Sequence, residues 1–507
     1  MNIQEVYQEY VSLTQKAADL NNAAAVLGWD QETYMPPKGF NARGRQLATL
    51  ATAAHEILTS ERYGRILEQL GEAAELDEDA KTNVKCSRED FEKAQKLSPE
   101  FVEAMAKQSS ASFEAWIAAR EAKDYGRYAA ELGKMIALKK EQAERYGYEA
   151  HPYDALLDDY EKGGTVAVLD PVFEGVKRDL PPLLERIAAK GGVDDSFFHK
   201  HYPKEAQFQF SLEILKAMGY DLEAGRQDYS EHPFSTSFAP TDVRVTTRVD
   251  EKNIASLLWS SIHEGGHALY EQGLPEVQYG LPLAQATSLS IHESQSRLWE
   301  NGVGRSLPFW NHFFPLLQKR FPDQLKDCSA ETWYRGANKV QPSLIRTESD
   351  ELTYHFHVLI RYEIEKALLT GELDPKDLRN SWNEAYQKYL GVTPADDKQG
   401  VLQDVHWAHG SFGYFPTYSL GSFYAAQFLE KATAEIKDLD SQFEAGQFGQ
   451  LLSWLREHVH QYGRRYRSEE LCKRITGQGL DFQAFLRYAE QKFGGIYNLS
   501  AEPVTQS

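Results

Sequence analysis

Val243-Arg244-Val245-Thr246-Thr247-Arg248-Val249, followed shortly by a segment that runs from Ile254 into His263-Glu264-Gly265-Gly266-His267, decides how this chain is read. Val243, Val245, Thr247 and Val249 share one face and Arg244, Thr246 and Arg248 the other, which is the two-residue period of a strand with one polar face. Asp250 then offers an N-cap and the period lengthens to that of a helix, so strand and helix are expected to meet with almost no loop. Outward from this point the pattern is helical. Ile3, Val6, Tyr7, Tyr10, Val11 and Leu13 recur at helical spacing, and similar stretches run through residues 60–75, 98–120 and 126–147. Turn chemistry at Met35-Pro36-Pro37-Lys38-Gly39, Gly163-Gly164, Gly191-Gly192 and Gly273-Leu274-Pro275 marks loops between helices. Residues 406–424, rich in aromatics and punctuated by Gly and Pro, read as loop. The expected class is all-α, mostly helical, with a small β-sheet.

Composition narrows the functions open to such a chain. With 507 residues, 42% of them apolar, it can bury a large core. Lys and Arg number 55 against 75 Asp and Glu, a net charge of −20 that opposes binding to a phosphate backbone, so no nucleic-acid partner is expected. Cys86, Cys328 and Cys472 lie far apart, which argues against a disulfide framework or a Cys-based zinc site and for three buried thiols in a reducing compartment. No basic leader followed by an apolar run is present, and no stretch approaches the roughly 20 apolar residues of a bilayer span, so a cytoplasmic protein without membrane contact is expected.

His263-Glu264-Gly265-Gly266-His267 matches H-E-x-x-H, in which two imidazoles one helical turn apart bind a divalent metal and the intervening Glu serves as base. With Ile254 set to zero, Ile254, Leu257, Leu258, Ile262, Ala268 and Leu269 fall between about 300° and 80°, and His263 and His267 at about 180° and 220°. Both histidines thus lie opposite the apolar stripe, beside Ser256 and Ser260, which are small enough to leave room for an ion and a substrate. Gly265 and Gly266 each cost about 1 kcal/mol inside a helix, which points to close packing or a crowded site. A third ligand must come from downstream. Glu293, in Ser290-Ile291-His292-Glu293-Ser294-Gln295-Ser296-Arg297, lies far enough on for a second helix to return to the first; His292 and Glu300 are its rivals, since Glu300 shares its face.

These residues resemble those of the thermostable carboxypeptidase family, also called carboxypeptidase Taq. The resemblance spans essentially the whole chain and rests on His263-Glu264-Gly265-Gly266-His267, His292-Glu293-Ser294-Gln295-Ser296-Arg297, Asp242-Val243-Arg244-Val245-Thr246, Ile345-Arg346-Thr347-Glu348-Ser349-Asp350 and Gly400-Val401-Leu402-Gln403-Asp404-Val405-His406-Trp407. The fourth motif usually ends in Ala-Asp; Ser349-Asp350 is a small departure. The family implies a neurolysin-like, two-lobed groove fold, Glu293 as third ligand, Zn2+ with Co2+ able to substitute, and a homodimer. It also implies release of single amino acids from peptide C-termini with broad side-chain preference. One helical peptidase domain over residues 1–507 with a deep central groove is expected, because motifs from 242 to 407 must converge on one metal.

In that reaction Glu264 takes a proton from metal-bound water as it attacks the scissile carbonyl, then delivers the proton to the leaving amine. Tyr418, placed by the reading above in a loop, and His232, just ahead of the strand, are candidates to stabilise the oxyanion; the plainer alternatives are a packed aromatic and a loop histidine. Arg346 leads for binding a free terminal carboxylate, against a structural ion pair with Glu348 or Asp350. Arg244 is the other candidate, or holds its strand beside the groove as an edge for peptide backbone. His406 and Asp404 either support the metal ligands or shape the terminal-residue pocket. The competing readings are an oligopeptidase or endopeptidase of the same fold and a silent peptide-binding helical protein.

Overall fold

The computed structural model describes residues 2–499 and is helical nearly throughout, with one three-stranded sheet. Two compact units emerge, each assembled from separated stretches of chain. Of the described residues, the first comprises 2–95, 195–337 and 428–479, and the second 96–194, 338–427 and 480–499.

In the first unit the N-terminal helix Ile3–Thr33 opens with a capping box. The Asn2 side chain accepts from the Glu5 amide at 2.9 Å, and the Glu5 carboxylate accepts from the Asn2 amide at 3.0 Å. Its buried stripe, Val6, Tyr10, Thr14 and Ala17, follows the helical repeat. Val6 and Tyr10 pack with Tyr63, Ile66, Leu67 and Leu70 of helix Glu61–Gly71 and with Val84 of helix Glu78–Gln95. Strands β1 (Gly225–Tyr229), β2 (Ser235–Ala239) and β3 (Asp242–Thr247) form a sheet in the order β1-β3-β2, with β1 parallel and β2 antiparallel to β3.

The strand read at 243–249 is present and ends at Thr247. Val243, Val245 and Thr247 are buried as expected, but so is Thr246 on the supposed polar face. Its hydroxyl accepts from the Phe234 amide at 2.9 Å and pairs with the Ser230 hydroxyl at 2.7 Å, so the buried oxygen is satisfied. The expected N-cap is corrected as well: Asp250 accepts from the Lys252 amide in a short turn, and the helix that carries both histidines, Ile254–Glu271, starts after Asn253. Hydroxyls fasten this histidine helix to the sheet. Ser260 and Ser261 meet the Thr247 hydroxyl at 3.1 and 3.2 Å, so Ser260 ties the helix down rather than leaving space for an ion.

In the second unit, helices Pro99–Ala122 and Gly126–Tyr146 pack as a pair, and helix Tyr354–Thr370 is buried along most of its length. The loop expected over 406–424 ends early, since Pro416–Glu435 is a helix. Pro416 suits a first helical turn, and every residue from 419 to 428 is buried. A helix buried all round shows no alternation of polar and apolar residues to betray it.

Among the described residues no helix is long and apolar enough to cross a membrane. None of the three cysteines is in a disulfide; Cys86 and Cys472 are buried, whereas Cys328 is half-buried, not buried as expected.

Candidate metal centre

The histidine helix packs across the short helix Leu289–Arg297 at unusually close range, and its two glycines are the reason. A Cβ on Gly266 would lie 2.6 Å from the Ser296 Cα and 2.7 Å from the Gln295 carbonyl oxygen, and one on Gly265 would lie 2.5 Å from a Leu215 methyl. Close packing is therefore what the helix-weakening Gly-Gly pair provides. It brings Glu293 to the histidines: its Oε2 lies 3.7 Å from His263 Nε2 and 3.5 Å from His267 Nε2. The donor atoms of His263, His267 and Glu293 all lie within 4.8 Å of one another.

The surroundings of the three side chains prepare those atoms for a cation. His263 Nδ1 donates to Glu300 Oε2 at 2.8 Å, which fixes its proton there and turns the Nε2 lone pair toward the cluster. His267 Nδ1 faces the His292 carbonyl at 3.1 Å and His292 Nδ1 at 2.6 Å, while His292 Nε2 meets Glu271 at 2.8 Å. A chain of polar contacts thus runs from Glu271 through His292 to His267. Arg297 donates to Glu293 Oε1 at 2.6 Å, which leaves Oε2 to face the imidazoles. Sequence reasoning offered His292 and Glu300 as rivals of Glu293; the structure places His292 against His267 and Glu300 against His263, each at Nδ1 and away from the Nε2 atoms that Glu293 faces. Glu300 reaches His263 because the chain after Arg297 widens into a π-helical turn, Leu298–Gly304, and Arg297 and Arg305 hold its carboxylate at 3.3 and 2.9 Å.

Burial acts to raise the Glu293 and Glu300 carboxyls, but Arg297 together with His263 holds both well below the usual carboxylate range. Burial, reinforced by His292, pushes His267 down to about 3. His263 moves the other way: burial opposes its charge, yet Glu293 and Glu300 raise it. The negative field that favours a proton on His263 equally favours a cation beside it, so the residues present fit a divalent metal. Glu264, on the same helix, is buried and hydrogen bonded to Ser235 of β2. Burial pushes its carboxyl up to about 7, with Glu293 adding to the rise and His263 and Ser235 opposing it.

Other residues singled out from sequence fall into two further places. Arg244 is matched by its neighbour Asp242 through two 2.8 Å hydrogen bonds and lies 4.5 Å from the centre of the Trp29 ring and 5.0 Å from that of Phe238. His232 occupies an exposed turn between β1 and β2, and it is Ser235, three residues on, that reaches Glu264. In the second unit Arg346 is buried, and its partner is Asp404, not Glu348 or Asp350: Nε and Nη2 donate to Asp404 Oδ1 at 3.1 and 2.9 Å. Arg361 takes the other oxygen, its Nε donating to Oδ2 at 2.7 Å. The Tyr418 ring lies 4.8 Å from the Arg346 guanidinium, and its hydroxyl is 3.2 Å from His406 Nε2. Burial pushes His406 down to about 3 against the pull of Asp404, so its imidazole is neutral. Sequence reasoning missed Ser235, Arg305 and Arg361, since an ordinary Ser or Arg outside a recognised motif carries no signal until the chain is folded around it.

A buried glutamate beside a two-histidine, one-carboxylate donor set is the equipment of a hydrolytic metallopeptidase, and that is the class to which the helical fold and this site point. Comparison with known proteins narrows the class. The family described as "Carboxypeptidase Taq (M32) metallopeptidase" matches residues 9–493. The chain is 43% identical to "Thermostable carboxypeptidase 1" of Thermus thermophilus, over 98% of this chain and all of that protein, and 39% identical to "Carboxypeptidase 1" of Bacillus subtilis, again over 98% and all. The crystal structure of the M32 carboxypeptidase from Deinococcus radiodurans R1 superimposes with a TM-score of 0.96 at 38% identity, covering 98% of this chain and all of that one. The chain belongs to the carboxypeptidase Taq (M32) family, and it is a metal-dependent carboxypeptidase.

Proposed function

We propose that this carboxypeptidase releases single amino acids from peptide C-termini with broad side-chain preference, using Zn2+ held by His263, His267 and Glu293. The observation that carries this reading is the convergence of those three donors beside a buried Glu264. Two imidazoles and one carboxylate suit zinc, and cobalt shares the preference for such mixed donors. When bound, the ion supplies Lewis acidity, lowering the pKa of water and polarising the scissile carbonyl. Glu264 accepts the proton of the attacking water and returns it to the departing amine; its buried, Ser235-anchored carboxyl is poised for both transfers. Tyr418 and His232 remain the proposed donors to the oxyanion, Tyr418 being held by His406.

Arg346 receives the substrate's terminal carboxylate. Asp404 and the Tyr354 hydroxyl engage three of its five N–H donors, so two are left for a planar anion. His406 supports Tyr418 beside it. Arg244, already matched by Asp242 and stacked on Trp29, serves by holding β3 against the N-terminal helix. The reading keeps the chain as one helical peptidase domain. A homodimer follows from the family resemblance, and three cysteines outside any disulfide favour a cytoplasmic location.

Paired peptides that differ only in a free or amidated C-terminus provide the test, with product analysis and zinc analysis alongside. The expected result is single-residue release from the free acid, much weaker cleavage of the amide, and a Glu264→Gln variant that keeps zinc but loses most turnover. Near-normal turnover by that variant would sink the role of Glu264. Equal cleavage of both peptides would sink the recognition of a terminal carboxylate.

A further inference from the structure

Asp404 is shared by two guanidinium groups, and the sharing is divided cleanly between its oxygens. Oδ1 accepts from Arg346 Nε and Nη2, and Oδ2 lies 2.7 Å from Arg361 Nε and 2.5 Å from Arg361 Nη2. The Arg361 side chain is 0% exposed, that of Arg346 6% and that of Asp404 12%. Two cations against one anion leave this buried group with one surplus positive charge. His406, 3.9 Å from Asp404 Oδ1, is neutral and adds nothing to the sum.

A buried surplus charge is costly unless something matches it. An Arg346–Asp404 pair alone would be neutral. Arg361, held on Oδ2, turns it into a group with one positive charge in excess, while Arg346 keeps both of its Asp404 bonds on Oδ1. Arg361 itself is closed to a substrate by its complete burial. Its Nη1 donates to the His357 carbonyl at 2.7 Å and to the Tyr386 hydroxyl at 3.3 Å, and its guanidinium lies 4.5 Å from the centre of the Trp382 ring.

We propose that Arg361 is a positioning residue that sets end specificity: by matching one oxygen of Asp404 it leaves Arg346 with unmatched positive charge for a substrate's terminal carboxylate. The inference rests on Arg346 being the carboxylate partner, and the experiment separates the two. An N-blocked dipeptide and its C-terminal amide are compared by kcat and KM in the zinc-loaded enzyme and in Arg361→Met, Arg361→Lys, Asp404→Asn and Arg346→Met. Arg361→Met is expected to raise KM for the free acid on the order of tenfold or more, with kcat less affected and the amide little changed. Arg361→Lys, which keeps the charge, should recover most of the preference. Asp404→Asn adds to the surplus charge and should keep or sharpen the preference, so removing a cation and removing the anion act in opposite directions. A merely structural cluster would move both the same way, and that result overturns the proposal. So does an unchanged acid-to-amide ratio in Arg361→Met when Arg346→Met abolishes it. An unchanged ratio in Arg346→Met itself overturns the underlying reading of Arg346. Should Arg361→Met not fold, Arg361→Gln is read by the same criteria.

Discussion

Replacing Gly266 by alanine should damage the protein through its effect on helix spacing, against the direction that helix propensity alone suggests. Alanine gains about 1 kcal/mol over glycine in a helix interior. Here, however, the new methyl would lie 2.6 Å from the Ser296 Cα and 2.7 Å from the Gln295 carbonyl, where ordinary contact starts at 3.4 Å. Both obstacles are backbone, so no rotamer change relieves them, and the two helices must part by about 0.8 Å at a cost toward the upper end of the ~1–3 kcal/mol range for overpacking. The expected balance is a loss of about 2 kcal/mol in stability. Metal binding should fall as well. His263 and His267 sit on one of these helices and Glu293 on the other, whereas metal–ligand distances hold only within about 0.2 Å. Thermal unfolding with and without chelator, together with competition against a zinc indicator, measures both effects. The expected result is a lower melting temperature, a smaller gap between metal-loaded and chelated forms, and weaker zinc affinity. Gly265→Ala should be milder, since its obstacle is a Leu215 methyl that can turn away. A Gly266→Ala protein that melts at or above wild type and keeps its zinc affinity would refute the reasoning.

Three further changes probe separate parts of the structure. Gly28 lies inside helix Ile3–Thr33 with nothing within 4 Å of its would-be Cβ, so Gly28→Ala should raise stability by about 0.5–1 kcal/mol, read as an increase in melting temperature. Glu300→Gln removes the charge that orients His263, and should weaken zinc affinity roughly 10- to 100-fold in chelator competition while the fold persists. Glu365, buried in the second unit, accepts from Tyr153, Trp407 and the Gly413 amide, yet burial pushes its carboxyl up from 4.5 to about 7. Because the folded value is raised, the folded state binds the extra proton and stability falls as pH climbs from about 4.5 to about 7, by roughly 3 kcal/mol from this group. Glu365→Gln should flatten that slope, so its melting temperature relative to wild type improves between pH 5 and pH 8; a constant difference would show that Glu365 does not titrate in this way.

Much of the site was legible because its parts are local in sequence. The helix Ile254–Glu271 announces itself by two histidines at i and i+4 on the face opposite its apolar residues, and the strand by its alternation, since both patterns follow from backbone periodicity. The helix at Pro416–Glu435 was not legible, because residues 419–428 are buried on every side and periodicity needs one face in water. Nor was the approach of Glu293, rather than His292 or Glu300, to both histidines open to reading from angles. It depends on a π-helical turn and on two glycines that set the distance between helices.

The sequence by itself determined the chemistry of this protein: which side chains can bind a divalent metal, which one can move a proton, and that most of the chain is helical. Those properties belong to residue types and to short-range repeats. Only the tertiary structure decided which charges meet. It paired Arg346 with Asp404 across 58 positions in the chain, gave Asp404 a second guanidinium from Arg361, and set Glu300 behind His263 instead of beside it. Electrostatic partnership depends on distance in space and on burial, and neither is written in sequence separation.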